Sequence, residues 1–143
     1  MPARFSHSEI AFDYPDNWTL ENEDTQAECH SVTVYSPGGA FWAVSAHPHS
    51  TIPDELATAA VEAMKEEYKE LEVEETWDDI AGQEIRGYDM NFHYLDLTNT
   101  AQVRCWQTNR TTYTIFCQAE DREFDRVQPV FQAMVVSLMN QIG

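Results

Sequence analysis

Two stretches of helical period, set into an otherwise alternating chain, decide what this sequence can fold into. In STIPDELATAAVEAMKEEYKEL, residues 50–71, the apolar residues Ala57, Ala60, Val61, Met64, Tyr68 and Leu71 recur at spacings of three and four, the stripe of an amphipathic helix. Pro53 in the first turn and Asp54 and Glu55 at its positive end mark the start, so a helix is predicted over 54–71. A second stripe, Phe124, Val127, Phe131, Met134, Val135 and Leu138, predicts a helix over 122–141, with Pro129 either kinking it or opening its main part.

Everywhere else the period is two. Alternation begins between Ser8 and Asp13 and stops at YPDNW, where Pro15 removes a ladder donor and Asp16 and Asn17 favour a turn before a second strand opens at Trp18. ECHSVTVYS places His30, Val32 and Val34 on one face and Cys29, Ser31, Thr33 and Tyr35 on the other. SPGG then turns the chain into AFWAVSAH, which completes an antiparallel meander. After the first helix, strands follow near EVEETWDDI, QEIRGYDMNFHYLD, AQVRCWQT and TTYTIFCQA, separated by AG, LTNT and NRT. Strands, helix, strands, helix, with no internal repeat and no low-complexity linker, is the pattern of a single α+β domain over residues 1–143, an antiparallel sheet covered by helices.

Charge and cysteine usage narrow the function classes. A formal net charge of -17 over 143 residues repels nucleic acid and anionic membrane surfaces, and the complementary expectation is a protein partner that is basic or apolar, or no partner. The acids concentrate between Asp54 and Asp79 and are expected on a solvated helix face; the run lacks the Asp/Asn/Gly loop of a calcium site. Cys29, Cys105 and Cys117 are odd in number and widely spaced, which argues for free buried thiols. A tight turn at TNRT pairs position 105 with about position 114, so Cys105 and Cys117 are not opposed for a bridge. The start MPARFSHSEIAF lacks a basic, then apolar, leader, and no apolar stretch reaches bilayer length, so a cytoplasmic protein without membrane insertion is expected. On that expectation the sequons at Asn17 and Asn109 carry no glycan.

Several local signatures carry a resemblance: FDYPDNW at 12–18, YSPGG at 35–39, IAGQE at 80–84, and the terminal FQAMVVSL pattern that follows Phe124. Together they resemble the PsbP-like superfamily over nearly the whole chain. The resemblance implies an α/β/α sandwich, with a mainly antiparallel sheet of about six or seven strands flanked by two principal helices. It implies no shared catalytic site, and members that mostly bind other proteins. The matching residues are structural: Tyr14, Pro15 and Trp18 are expected as a packed corner closing the sheet, and Gly82 as a turn between strands. No transit or lipoprotein signal precedes them, so photosynthetic and envelope roles are not expected.

Chemistry-bearing residues are few. SAHPHS, residues 45–50, puts His47 and His49 two apart, and Cys29, His30 and His93 are the residues that a sheet could bring near them as further zinc ligands. No CxxC, HExxH or facial-triad spacing supports such a site, and exposed histidines at a strand end are the expectation, with no metal and no cofactor. Cys29 and His30 point to opposite faces of a strand, YSPGG is not a nucleophile elbow, and GGAF lacks the Lys or Thr that cradles phosphate. The expected function is therefore a non-catalytic protein-binding or adaptor-like module. Trp42, Trp77 and Trp106 are its candidate anchors, although each lies in an alternating strand where a core position is the ordinary outcome. The alternative is a small-ligand binder or enzyme that uses a pocket between sheet and helix.

Overall fold

In the computed structural model, which describes residues 2–7, 9–26 and 29–142 but not the side chains of 23–26, 29 and 142, the chain forms nine strands and two helices. β1 (Pro2–His7) and β2 (Ile10–Pro15) make a separate two-stranded hairpin. β3 (Thr19–Gln26), β4 (Cys29–Tyr35) and β5 (Phe41–Pro48) form the expected meander. From β5 the chain passes through α1 (Pro53–Glu67) to the far side of the sheet, where β6 (Glu72–Ile80) lies at the edge. β7 (Gln83–Tyr94), β8 (Leu97–Gln107) and β9 (Thr111–Glu120) then step back until β9 docks on β5, and α2 (Asp121–Ile142) follows at once. The seven-stranded order is β3-β4-β5-β9-β8-β7-β6, antiparallel throughout, so the α+β sandwich expected from the element order is the fold observed.

The alternation sorts residues onto two faces. On one, Val32, Val34, Trp42, Val44, Ile115 and Cys117 are buried beneath α2 and the β1–β2 hairpin. On the other, Met90, Phe92, Ala101, Val103 and Cys105 pack against Ala57, Val61 and Met64 of α1. Burying each set removes its apolar surface from water, the main force holding helices to sheet. The hairpin joins the first core through Phe12, whose ring centroid lies 4.9 Å from that of Trp42.

Turn chemistry fixes the register. Ile80 pairs with Gln83, and the two residues between them, Ala81 and Gly82, both have positive φ (51° and 80°), which fits the right-handed twist of a two-residue hairpin. In the SPGG turn, Gly39 has φ 96°, and the Ser36 hydroxyl accepts from the Ala40 N–H while donating to the Glu123 carboxylate of α2. At the β9–α2 junction the Glu120 carboxylate accepts from the N–H groups of Arg122 and Glu123, capping the helix from the residue before it.

Two expectations change, and two are filled in. A strand, β1, precedes the first one read from the sequence and pairs with it outside the main sheet. LTNT is not a break: residues 97–100 belong to β8, and the turn is Leu95–Asp96, both at positive φ (52° and 63°). Tyr14, Pro15 and Trp18 form the expected corner, closed by the Trp18 N–H on the Pro15 carbonyl, with Trp18 buried in the core and edge-on against Phe131 of α2. Pro129 lies inside α2, which runs on past it.

Candidate functional site

The three candidate tryptophans meet different fates. Trp42 is fully buried under Phe12, and Trp106 is buried and stacked on Tyr113 with centroids 5.3 Å apart. Neither can offer its ring to a partner, because both lie on the face covered by α2 and the hairpin. Trp77, in contrast, is 60% exposed, on the helix-α1 face of β6 directly across from Arg86.

The histidines do not converge. His30 is buried under the hairpin, with Nε2 2.6 Å from the Asn22 carboxamide oxygen and its ring 5.1 Å from that of His7. His47 pairs with Thr112 on the opposite face, and burial lowers its pKa below the usual histidine value. His49 is exposed and contributes its backbone: its carbonyl, like that of Thr51, accepts from Gln107 Nε2. SAHPHS thus ends β5, and the segment from His49 to Thr51 that follows fastens the entry to α1 onto β8 and β9, completed by the Thr112 hydroxyl on the Thr51 carbonyl at 2.8 Å. His93 lies at the far end of β7, and the Cys29 side chain falls outside the described residues. Among the described residues no three His, Cys, Asp or Glu side chains gather as a metal site.

The two described thiols are poor nucleophiles. Burial pushes Cys105 up to about 11 and Cys117 up to about 12, so neither is a thiolate near neutrality. Both are free, as their pairing geometry requires.

The acids are not confined to a helix. Asp54, Glu55, Glu62, Glu66 and Glu67 lie in α1, but Glu72, Glu74, Glu75, Asp78 and Asp79 lie in β6. Among the described residues this strand pairs with β7 alone, and seven of its nine residues are exposed. It therefore presents a row of backbone donors and acceptors, a string of carboxylates and one large aromatic ring on the same open edge.

One ion-pair cluster ties that edge to the sheet interior. Arg104, buried on β8, donates from Nε to Asp78 of β6 at 2.9 Å and from Nη2 to Asp89 of β7 at 2.6 Å, while Nη1 donates to the carbonyls of Tyr88 and Val103. Burial acts to lower the Arg104 pKa, but the bonds to both aspartates outweigh it and hold the guanidinium protonated. Gly87, opposite Arg104, allows the close approach of β7 and β8: a Cβ there would fall onto the Val103 carbonyl oxygen.

No protein-family model and no curated protein sequence matches this chain. Solved structures do. Cyanobacterial PsbP (CyanoP) from Synechocystis sp. PCC 6803 superposes with TM-score 0.62 at 13% identity, covering 95% of this chain and 90% of that one. A protein from Bacteroides thetaiotaomicron gives 0.60 at 11% identity over 94% of this chain, which spans only 47% of the larger protein. A Pseudomonas aeruginosa protein of unknown function, PA94, gives 0.51 at 8% identity over 96% and 95%. At such identities the likeness is one of backbone architecture, and function does not travel with it. The chain has the PsbP-like fold.

Proposed function

We propose that this protein is a non-catalytic binding module that receives a basic, extended segment of a partner protein along the outer edge of β6. The observation that carries the reading is a nine-residue edge strand with five carboxylates and an exposed Trp77. Strand addition uses main-chain hydrogen bonds for affinity and alternate side chains for specificity. The edge carboxylates work in both directions: they oppose pairing of β6 with the β6 of a second copy, and they attract a strand bearing lysine or arginine. Trp77, on the same face of the strand as the exposed Val73, supplies the main apolar anchor.

The high pKa values of the buried thiols and the dispersal of the histidines support the non-catalytic part of the reading. The net charge of -17 supports a basic partner, whose association is faster at low ionic strength than when salt shortens the reach of the field to about 3 Å at 1 M.

A peptide of alternating lysine and valine tests this, with its glutamate–valine counterpart as control. The lysine peptide binds, binds more weakly as salt rises, and loses roughly tenfold or more in affinity to Trp77→Ala. Glu74→Lys with Glu75→Lys weakens it further. Equal affinity for the two peptides, or binding indifferent to both sets of substitutions, would contradict the proposal.

A further inference from the structure

We infer that the recess at one end of the sandwich, where the β1–β2, β6–β7 and β8–β9 turns meet the last turn of α2, is a separate site that binds a zwitterion of short-peptide size through its ammonium and its carboxylate. The recess holds about 900 Å³, within the range of small-ligand sites. Polar groups dominate its walls, among them Glu9, Gln83, Trp106, Asn109 and Arg110.

The indole edge of Trp106 calls for an acceptor. The side chain is 3% exposed and stacked on Tyr113, so its ring face is closed to a ligand. Its Nε1–H nevertheless donates to no described residue, and it is not sealed from solvent as that of Trp42 is. The recess is where Trp106 meets open space, so the N–H opens into it. An indole nitrogen only donates, and one this deeply set ordinarily has a partner.

The charges of the recess come as an unmatched pair. Glu9 and Arg110 both line it, yet neither forms an ion pair with a described residue, and they do not reach each other. Their backbones are fixed from below: the Tyr113 hydroxyl donates to the Glu9 carbonyl at 2.6 Å, and the Thr108 hydroxyl accepts from the N–H groups of Arg110 and Thr111. A lone anion would meet Glu9 and a net charge of -17, and a lone cation would meet Arg110, whereas a ligand carrying both charges meets neither penalty. A short peptide with free ends fits. Its carboxylate serves Arg110 and the Trp106 N–H, its ammonium serves Glu9, and the carboxamides of Gln83 and Asn109 line the same recess for the amide groups between them. This inference does not depend on the β6 edge binding a strand.

Nitrogen–proton spectra of the full chain test it, with the Trp106 indole resonance assigned by its loss in Trp106→Phe. Triglycine is the probe. N-acetyltriglycine, which keeps only the carboxylate, and triglycinamide, which keeps only the ammonium, are the controls. Triglycine shifts the Trp106 resonance saturably, each control binds roughly tenfold more weakly, and triglycine loses roughly as much in Arg110→Gln or in Glu9→Gln. Both residues are exposed, so neither substitution threatens the fold. An unmoved Trp106 resonance, as for a recess that holds water only, would overturn the inference. So would a control that matches triglycine, free glycine binding as tightly as triglycine, or a response unchanged in either variant. The lysine–valine peptide test reads Trp77 and the β6 edge and this one reads Trp106, so the two proposals fail separately.

Discussion

The sheet face beneath α2 is built to different rules at its two ends. Toward β4 and β5, the inward positions other than His30 are apolar or aromatic, and Phe12 of the hairpin closes over Trp42 with Val32, Val34 and Val44 beside it. Toward β6, the same rows carry Thr76, Asp78, Asp89, Gln102 and Arg104, held by charged hydrogen bonds around a cavity. One end is held by close packing and excludes water. The other gives up packing for a polar network, and it is there that the sheet ends in an open, acidic strand. The proposed binding edge lies at the less closely packed end, where groups are not already satisfied inside a core.

The comparison can be broken at either end. Trp42→Ala is expected to cost about 3–5 kcal/mol in urea unfolding, whereas Trp77→Ala changes stability by less than about 0.5 kcal/mol while weakening peptide binding. Similar losses for the two would mean that the ends are not energetically distinct.

Next in size is Arg104→Met, which leaves Asp78 and Asp89 without their cation. A fully buried pair broken this way costs about 3–5 kcal/mol, but Asp78 and Asp89 are 47% and 34% exposed and can rehydrate, so about 2 kcal/mol is expected. A neutral or stabilising result would show the network to be dispensable to the fold.

Leu95→Asn should stabilise by about 1 kcal/mol, because φ 52° is strained for leucine and tolerated by asparagine, and Leu95 is 77% exposed with little packing to lose. Unchanged or lowered thermal stability would assign that side chain a contact role at the hairpin tip.

The smallest effect is on pH dependence. Burial lowers the His47 pKa from its ordinary 6.5, so its contribution is fully present above about that pH and is lost as pH falls through the folded-state value. His47→Gln should flatten that part of the stability profile slightly, as read from unfolding midpoints across pH 5–8. An identical profile in the variant would mean that His47 is not desolvated.

Much of the fold was legible because period two and period three-to-four have different geometric consequences. The helices at 54–71 and 122–141 correspond to α1, which stops short at Glu67 with Tyr68 extended, and α2, the pairing of Cys105 with Thr114 follows from the turn, and Gly82 turns the chain as expected. β1 was missed because PARFSH carries one large apolar side chain and no clean alternation. The β7–β8 turn was misplaced because Leu95 occupies a left-handed position where glycine or asparagine is the usual signal. Of the site, the alternation of EVEETWDDI marked a strand but could not say that it lies at an edge, since edge position is set by the crossover through α1. The sorting of Trp42 and Trp106 inward and Trp77 outward depends on the same topology. Arg104 carried a signal in AQVRCWQ, where Gln102 and Arg104 share a face with Trp106: polar residues on the covered side of a central strand point to a polar pocket.

Backbone amide hydrogen exchange along β6, with and without the lysine–valine peptide, tests the proposed binding edge most directly. If the peptide adds as a strand, outward-facing amides between Glu72 and Ile80 gain protection while those of β4, β5 and β9 in the sheet interior are unchanged. Bound peptide with no added protection in β6, or with protection gained elsewhere in the molecule, would contradict the assignment of that edge as the binding site.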